Sequence, residues 1–218
     1  MSRSLEQYRK KRNFTETPEP VGRVGRAGCS RIFVVQKHEA SRRHYDFRLE
    51  INGALVSWAV PKGPSMNPGD KRLAVMTEDH PLEYADFEGV IPDGQYGAGT
   101  VMVWDKGTYE TQDGIPPDEQ LARGKIDVVL HGKKLRGGFT LVRMGTRSTD
   151  RQKANWLLVK HHDTDADPSW DIERTEFDRS VLTGRTPKEI ETGRPRTKSR
   201  LGRTSESETD ATQAKRAG

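Results

Sequence analysis

The middle of the chain alternates apolar and polar residues with a period of two. Nine short runs rich in Val, Ile, Phe, Tyr and Trp follow one another: RIFVVQKH, RHYDFRLEI, ALVSWAV, KRLAVMT, GTVMVWD, GTYET, KIDVVL, FTLVRM and NWLLVK. Such alternation is typical of strands with one buried face. Because no long helical period interrupts the runs, the sequence predicts an all-β, mostly antiparallel fold. We expect a closed or partly closed barrel of about eight strands with short peripheral helices.

Turn-forming residues separate these runs. Asn52-Gly53 lies between two of them and predicts a two-residue β-hairpin. Proline and glycine cluster over residues 61–69, where we expect a long loop. Lys106-Gly107 and Gly137-Gly138 predict two further turns.

Composition divides the chain into three parts. Residues 1–28 are polar and basic and predict an N-terminal arm with a short helix in LEQYRKK, which needs packing to be stable. Residues 29–184 contain nearly all the large apolar side chains and predict the barrel domain. Residues 185–218 have only Ile190 and Leu201 as large aliphatic residues, so we expect a disordered basic and polar tail.

Charge and cysteine content narrow the class of protein. The 218 residues contain 37 Lys and Arg against 32 Asp and Glu, a net charge of +5 that fits a polyanionic partner. No apolar run approaches the roughly 20 residues of a membrane-spanning helix, and the start has no signal peptide. The single cysteine, Cys29, cannot form an internal disulfide, which fits a reducing compartment. These features exclude membrane, disulfide-rich secreted and zinc-cysteine proteins, and we expect a cytoplasmic monomer.

The second predicted strand carries the most informative polar residues. His44, Asp46 and Arg48 alternate along it and therefore share one face. If residues 39–43 close a hairpin, His38 lies opposite His44, with the two side chains about 5 Å apart. Two imidazoles and a carboxylate suit a divalent ion such as Mn, Zn or Fe. Arg48 would then face an anion such as a metal-bound phosphate.

Two other interpretations use the same residues. The polar side chains could simply form the solvated face of a half-exposed strand. Alternatively, His44-Tyr45-Asp46 has the H-x-D spacing of the facial triad of non-haem iron oxygenases, with His80 as the distant histidine. The triad interpretation leaves His38 and Arg48 without a role, so we favour the phosphate-binding metal site.

A glycine-rich segment, IPDGQYGAGTV, contains Gly94, Gly97 and Gly99. A nucleotide-binding loop must lead into the N-terminus of a helix, whereas here a strand follows. The segment therefore predicts a tight turn whose backbone approaches another part of the protein closely.

Several segments together resemble the 3′-phosphoesterase module of bacterial ligase D, the end-joining DNA-repair ligase. They are QKHEASRRHYDFRLE, AVPKGPS, DHPLEYADFEG, IPDGQYGAGTV and WLLVK, and the resemblance runs from about Leu5 to about Phe177. It implies a manganese-dependent hydrolase, with Zn²⁺ or Co²⁺ as possible substitutes. Its implied reaction removes a 3′-terminal ribonucleoside from a primer and then the remaining 3′-phosphate, which leaves a 3′-hydroxyl. The implied process is DNA repair by non-homologous end joining.

The resemblance also implies roles for individual residues. The metal ligands would be His38, His44 and Asp46, and the residues that contact the scissile phosphate would be Arg48, His80 and Tyr84. His80 would act as a protonated or neutral donor. Three further residues match polar family positions near the phosphate or the nucleic acid: Gln36, Lys62 and Arg72. In the N-terminal segment, Arg12 and Glu19 match residues that the family needs for activity. Asn13 stands where the family pattern has an aspartate.

The resemblance implies partners as well. They are the 3′ ends of DNA or RNA–DNA primer-templates, a DNA ligase and end-binding repair proteins, in association with a bacterial nucleoid. No ligase or polymerase module follows Phe177, so we expect a free-standing member or an excised piece whose tail resembles a linker. The alternative function is a non-catalytic module that binds nucleic-acid ends and assists a ligase. The complete set of metal and phosphate residues favours the enzyme.

Overall fold

A computed structural model describes residues 4–25, 31–145 and 154–195. The predicted tail beyond residue 195 and the expected domain boundary at residues 28 and 29 lie outside these ranges. The helices are α1 (Glu6–Lys10), α2 (Pro117–Arg123) and α3 (Pro187–Glu191), with 3₁₀ helices at Leu82–Asp86 and Thr175–Phe177. The strands are β1 (Ile32–Glu39), β2 (His44–Ile51), β3 (Ala54–Val60), β4 (Arg72–Met76), β5 (Gly89–Ile91), β6 (Gly99–Thr111), β7 (Lys125–His131), β8 (Arg136–Arg143) and β9 (Asn155–Lys160). No helix in the described ranges is long and apolar enough to cross a bilayer.

The strands form one antiparallel sheet that closes on itself. Their order is β1-β2-β3-β4-β9-β8-β7-β6, and β6 pairs back with β1. The short strand β5 pairs with β6 outside this ring. The predicted fold class is therefore confirmed as a closed eight-stranded antiparallel barrel with one extra strand. The predicted hairpin turn is also confirmed, because Asn52 and Gly53 have φ values of 53° and 81° between β2 and β3.

Two of the predicted turns are wrong. Gly107 lies inside the long strand β6, which joins two of the predicted runs, and Gly137 and Gly138 lie inside β8. A Cβ atom on Gly107 would lie 2.1 Å from the carbonyl oxygen of His131, and one on Gly138 would lie 2.3 Å from Nδ1 of His161. These glycines allow close approach of neighbouring segments, which is the second common reason for glycine in a strand.

We expect Gly107→Ala to lower the free energy of unfolding by about 2 kcal/mol, because the new methyl group overlaps the His131 backbone and β6 must shift. Gly89→Ala in β5 is the matched control, since its added Cβ would find its nearest neighbour, the Phe87 ring, at 3.8 Å. Urea denaturation measures both variants. Equal urea midpoints for Gly107→Ala and Gly89→Ala would contradict the close approach of Gly107 to the His131 backbone.

Two apolar clusters lie on opposite faces of the β1–β2–β3 wall. The inner cluster fills the barrel and includes Trp58, Trp104 and Trp156 among its fully buried side chains. The outer cluster consists of Tyr8, Val34, Leu55, Tyr84, Ala85 and Val103. Through it the N-terminal arm and the 3₁₀ helix Leu82–Asp86 cover the outer face of the wall, which the alternating pattern had left to solvent.

Packing stabilises the short helices at both ends of the described chain. The five-residue helix α1 is anchored by Tyr8, which is fully buried and donates to the carbonyl oxygen of Pro20 at 2.6 Å. Helix α3 lies within the segment that we expected to be a disordered tail. Thr186 and Glu189 form a capping box at its start, and Ile190 is buried in the inner cluster. The capping box and the buried Ile190 side chain thus stabilise a helix beyond residue 185, where composition predicts the tail to begin.

Candidate metal centre

The β1–β2 hairpin brings the predicted ligands together. Its register pairs His38 with His44 and Gln36 with Asp46, and the two imidazole ring centroids are 4.7 Å apart. The predicted pairing and spacing of the two histidines are therefore confirmed. One ligand atom from each of His38, His44 and Asp46 lies within 4.8 Å of the others, and no second cluster of this kind occurs in the described part of the chain.

The orientation of the rings fits a divalent cation. Nδ1 of His38 and Nε2 of His44 face the Asp46 carboxylate at 3.7 and 3.8 Å. The other ring nitrogens lie 2.9 and 3.0 Å from the carbonyl oxygens of Gly97 and Arg42. Because a carbonyl oxygen only accepts, those nitrogens carry the protons and the nitrogens that face Asp46 keep their lone pairs. Two neutral imidazoles and one carboxylate can therefore hold a metal ion and leave positions open for substrate.

Arg48 provides a fixed positive charge beside this cluster. Its Nη2 lies 3.2 Å from Oδ2 of Asp46, and both side chains are nearly buried. Burial acts to raise the pKa of Asp46, but the Arg48 guanidinium outweighs it and holds that pKa well below its usual value. Asp46 is consequently ionised and ready to coordinate a cation.

Hydrogen bonds from β1 and β3 hold the Arg48 guanidinium in place. Its Nε donates to Oε1 of Gln36 at 2.9 Å, and its Nη1 donates to Oγ of Ser57 at 2.7 Å. Gln36 in turn donates from Nε2 to the carbonyl oxygens of Tyr84 and Phe87, at 2.9 Å each. Gln36 thus links the arginine to the 3₁₀ helix that carries Tyr84.

His80 lies between two guanidinium groups. Its backbone forms a bridge with Leu55 at the edge of β3, which fixes the ring against the outer wall. Nε2 lies 3.2 Å from Nη2 of Arg12, and Nδ1 lies 2.9 Å from both Nη1 of Arg48 and the carbonyl oxygen of Glu78. Both guanidinium groups only donate and the carbonyl oxygen only accepts. In one neutral tautomer Nδ1 donates to Glu78 and Nε2 accepts from Arg12, and in the other Nδ1 accepts from Arg48. Burial, together with the positive charges of Arg48 and Arg12, lowers the pKa of His80 well below its usual value.

These contacts correct two sequence-based interpretations. His80 is neutral in this arrangement, which is one of the two states that the resemblance implied. The facial-triad alternative is wrong, because both His80 ring nitrogens face guanidinium groups and the histidine that joins His44 and Asp46 is His38. The solvated-strand interpretation fails as well, since Arg48 and Asp46 are buried.

The N-terminal arm contributes two of the predicted residues. Arg12 donates from Nε to Oε1 of Glu19 at 2.8 Å and from Nη1 to Oε1 of Glu78 at 3.2 Å. The Tyr84 hydroxyl donates to the same Glu19 oxygen at 3.0 Å. Burial and the Glu19 charge raise the pKa of Tyr84 well above its usual value, so the phenol stays protonated. One hydrogen-bonded network therefore lies on the arm side of the candidate ligand cluster, and it consists of Arg12, Glu19, Tyr84 and His80.

Three residues singled out in the sequence lie apart from this network in the described contacts. Lys62 is exposed after the end of β3, and Arg72 donates to Asp70 at 2.7 Å. Both residues lie at the barrel end where His44 begins β2. Tyr45 pairs there with Val60, the last residue of β3, and the antiparallel pairing of β3 with β4 brings the start of β4 to the same end. Asn13 accepts hydrogen bonds from Thr15 within the arm.

Sequence reasoning missed Glu78 and Ser57. Glu78 is buried and accepts from both Lys11 and Arg12, while Ser57 accepts from Arg48. The only signal for Glu78 is its position two residues before His80. The glycine-rich turn was predicted correctly: the Gly97 carbonyl oxygen accepts from His38, a candidate metal ligand, and a Cβ on Gly99 would lie 2.4 Å from the carbonyl oxygen of Glu39.

Comparison with known proteins agrees with this geometry. Residues 36–143 match the family model described as the DNA ligase D 3′-phosphoesterase domain. The chain is 49% identical over 189 residues to the multifunctional non-homologous end joining protein LigD of Pseudomonas aeruginosa, which covers 85% of this chain and 22% of that protein. It is 49% identical over 140 residues to the LigD protein of Mycobacterium tuberculosis, which covers 64% of this chain and 18% of that protein. The corresponding protein of Mycolicibacterium smegmatis is 43% identical over 164 residues, with shares of 73% and 21%. The chain thus spans about a fifth of the length of these relatives.

Proposed function

Through residues 36–143 the chain belongs to the DNA ligase D 3′-phosphoesterase domain family, and on this premise we propose that it is a metal-dependent hydrolase that heals 3′ ends of DNA and RNA–DNA primers. It removes a 3′-terminal ribonucleoside and then the remaining 3′-phosphate, which leaves a 3′-hydroxyl. The observation that carries the proposal is the cluster of His38, His44 and Asp46 with an arginine at its edge. In the proposal the three ligands hold a cation, and the positively charged Arg48 beside them faces a phosphate group of the substrate.

The donor set accommodates Mn²⁺, with Zn²⁺ or Co²⁺ as substitutes, through Nδ1 of His38, Nε2 of His44 and the Asp46 carboxylate. When bound, such an ion supplies a Lewis acid that polarises a phosphate oxygen. Arg48 directs positive charge at the same oxygens and stabilises the charge that develops on them in the transition state. Neutral His80 accepts a proton or a hydrogen bond at Nε2 once substrate displaces Arg12 from it.

The arm-side network orients the substrate. Arg12 adds a second guanidinium, and Glu19 holds both this arginine and the Tyr84 hydroxyl in place. In the proposal the Tyr84 hydroxyl turns from Glu19 when substrate binds and donates its one proton to a phosphate oxygen, which its high pKa permits at neutral pH. Lys62 and Arg72 contact the nucleic acid at the barrel end beside His44. The net charge of +5 over the whole chain supports a polyanionic ligand.

We also propose that the reaction serves non-homologous end joining. The support is that the similar proteins are named for this process and are several times longer than this chain. A DNA ligase and end-binding repair proteins are the proposed partners, and the chain itself acts as a monomer.

A labelled primer that ends in one ribonucleotide tests the proposal. With Mn²⁺ we expect the primer to shorten by one nucleoside to a 3′-phosphate product and then to convert to a 3′-hydroxyl, and excess EDTA should stop both steps. Gel electrophoresis resolves the three species. An unchanged primer end with Mn²⁺, Zn²⁺ and Co²⁺, despite measurable primer binding, would overturn the proposal in favour of a non-catalytic end-binding module.

A further inference from the structure

Tyr96 is an exposed aromatic side chain at the rim of the metal centre. It is 48% exposed, and it is the one aromatic among the large exposed apolar side chains of the described residues. The others are aliphatic or methionine: Val21, Val24, Leu73, Val90, Met144 and Leu182. A single exposed apolar side chain is ordinary on a protein surface, so the case for a ligand rests on the groups that surround the ring.

The loop around Tyr96 is fixed to the metal centre on one side and to the arm on the other. The preceding residue, Gln95, donates from Nε2 to Glu16 at 2.5 Å. The following residue, Gly97, binds the His38 ring through its carbonyl oxygen at 2.9 Å. Consecutive Cα atoms are about 3.8 Å apart, so Tyr96 is held one residue away from a contact with a metal ligand.

Two cations of the arm flank the Tyr96 ring. Nζ of Lys11 lies 4.6 Å from the ring centroid and 3.1 Å from the Tyr96 hydroxyl, and Cζ of Arg12 lies 5.5 Å from the centroid. The Glu78 carboxylate binds both cations, with Oε2 accepting from Lys11 and Oε1 from Arg12. The ring is therefore held in place by charged neighbours, while the residue as a whole is 48% exposed.

We propose that Tyr96 stacks on the base of the 3′-terminal nucleotide while Lys11 contacts a neighbouring phosphate. This inference rests on the proposed function, since it requires a nucleic-acid 3′ end at the metal centre. Stacking on an aromatic ring tolerates any base, because every base has a π-face. The site thus recognises the end of a strand by an aromatic face and a fixed charge instead of by base sequence.

Fluorescence tests the proposal without turnover. A primer with 2-aminopurine at its 3′ terminus is titrated with protein in EDTA, and we expect stacking to quench the fluorescence. Tyr96→Leu should abolish the quench and raise the primer Kd about tenfold. Tyr96→Phe and Tyr96→Trp should keep the quench, because each retains a ring. An unquenched wild-type complex, or a full quench with Tyr96→Leu, would overturn the proposal.

A second primer separates stacking from a merely structural effect. The primer is identical except for an abasic 3′-terminal nucleotide, and Tyr96→Leu should change its Kd less than twofold. A Kd that rises equally for both primers would show that the substitution disturbs the loop, and this result would contradict the stacking proposal. Met144→Ala, at a side chain 50% exposed after β8, is the matched control and should behave as wild type on both primers.

The two proposals can fail separately. If wild-type protein with Mn²⁺ turns over neither primer but quenches the 2-aminopurine primer, the hydrolase proposal fails and Tyr96 remains an end-binding residue. If turnover occurs and the quench does not, the Tyr96 proposal fails alone.

Discussion

His44→Ala is expected to lose both metal binding and turnover. His44 supplies one of three ligand atoms that lie within 4.8 Å of one another, and alanine leaves one imidazole and one carboxylate. Substitutions that only disturb the orientation of a ligand cost 10–100-fold in metal affinity, so loss of the ligand itself should cost more than about 100-fold. Titration calorimetry with Mn²⁺ measures the affinity, and the ribonucleotide-ended primer measures turnover.

The matched control is His131→Ala. The His131 side chain is about half exposed in β7, with Glu110 as its ion-pair partner at 3.4 Å, and its removal should leave both measurements unchanged. The fold of His44→Ala should survive, since the His44 side chain belongs to neither apolar cluster. Turnover by His44→Ala protein that binds no metal would refute the assignment of the metal centre.

Arg48→Ala is expected to keep the metal site and lose turnover by about 10²–10³-fold, the usual cost of one transition-state charge stabiliser. The three ligands remain on the β1–β2 hairpin, whose register does not depend on Arg48. Removing a buried partner of Asp46 should also lower the free energy of unfolding by about 3–5 kcal/mol in the metal-free protein. Saturating Mn²⁺ should restore part of that loss, because the ion replaces the missing positive charge.

Arg48→Lys separates charge from geometry. A lysine ammonium keeps the charge beside Asp46 but cannot also reach Gln36, Ser57 and His80 from a rigid plane, so turnover should stay well below wild type while thermal stability recovers. Arg123→Ala on the exposed surface of α2 is the control for loss of an arginine. Wild-type kcat in Arg48→Ala protein, or complete loss of Mn²⁺ affinity, would contradict the proposed role.

The hairpin half of the site could be predicted because it is local. The period of two places His44, Asp46 and Arg48 on one face, and a short connection sets the register that brings His38 opposite His44. Both facts depend on about ten consecutive residues. The barrel class followed from the series of short apolar runs, although β1, β2 and β3 are buried almost continuously and do not alternate in burial.

The other half of the site did not follow from residue spacing, and only the family resemblance named its residues, because it depends on contacts between residues distant in the sequence. Arg12 and His80 are 68 residues apart, and Glu19 and Tyr84 are 65 apart. No spacing rule brings these pairs together. The covering of the outer wall by the arm also changes the state of His80, which an exposed position would leave near its ordinary pKa.

Glycine was the least informative signal. Gly53 forms a hairpin turn, whereas Gly107 lies within β6 so that the His131 backbone can approach. The two roles have the same appearance in the sequence, since both replace a side chain with hydrogen. The strand β5 went unpredicted for a simpler reason: three residues are too few to display an alternation.

The separation of the two apolar clusters assigns the packing of the barrel and the placement of the candidate site to different parts of the molecule. The tryptophan-rich cluster fills the barrel, whereas the outer cluster packs the arm and the 3₁₀ helix with Tyr84 against the wall. In protein engineering, the same division makes the arm the natural segment to exchange between relatives.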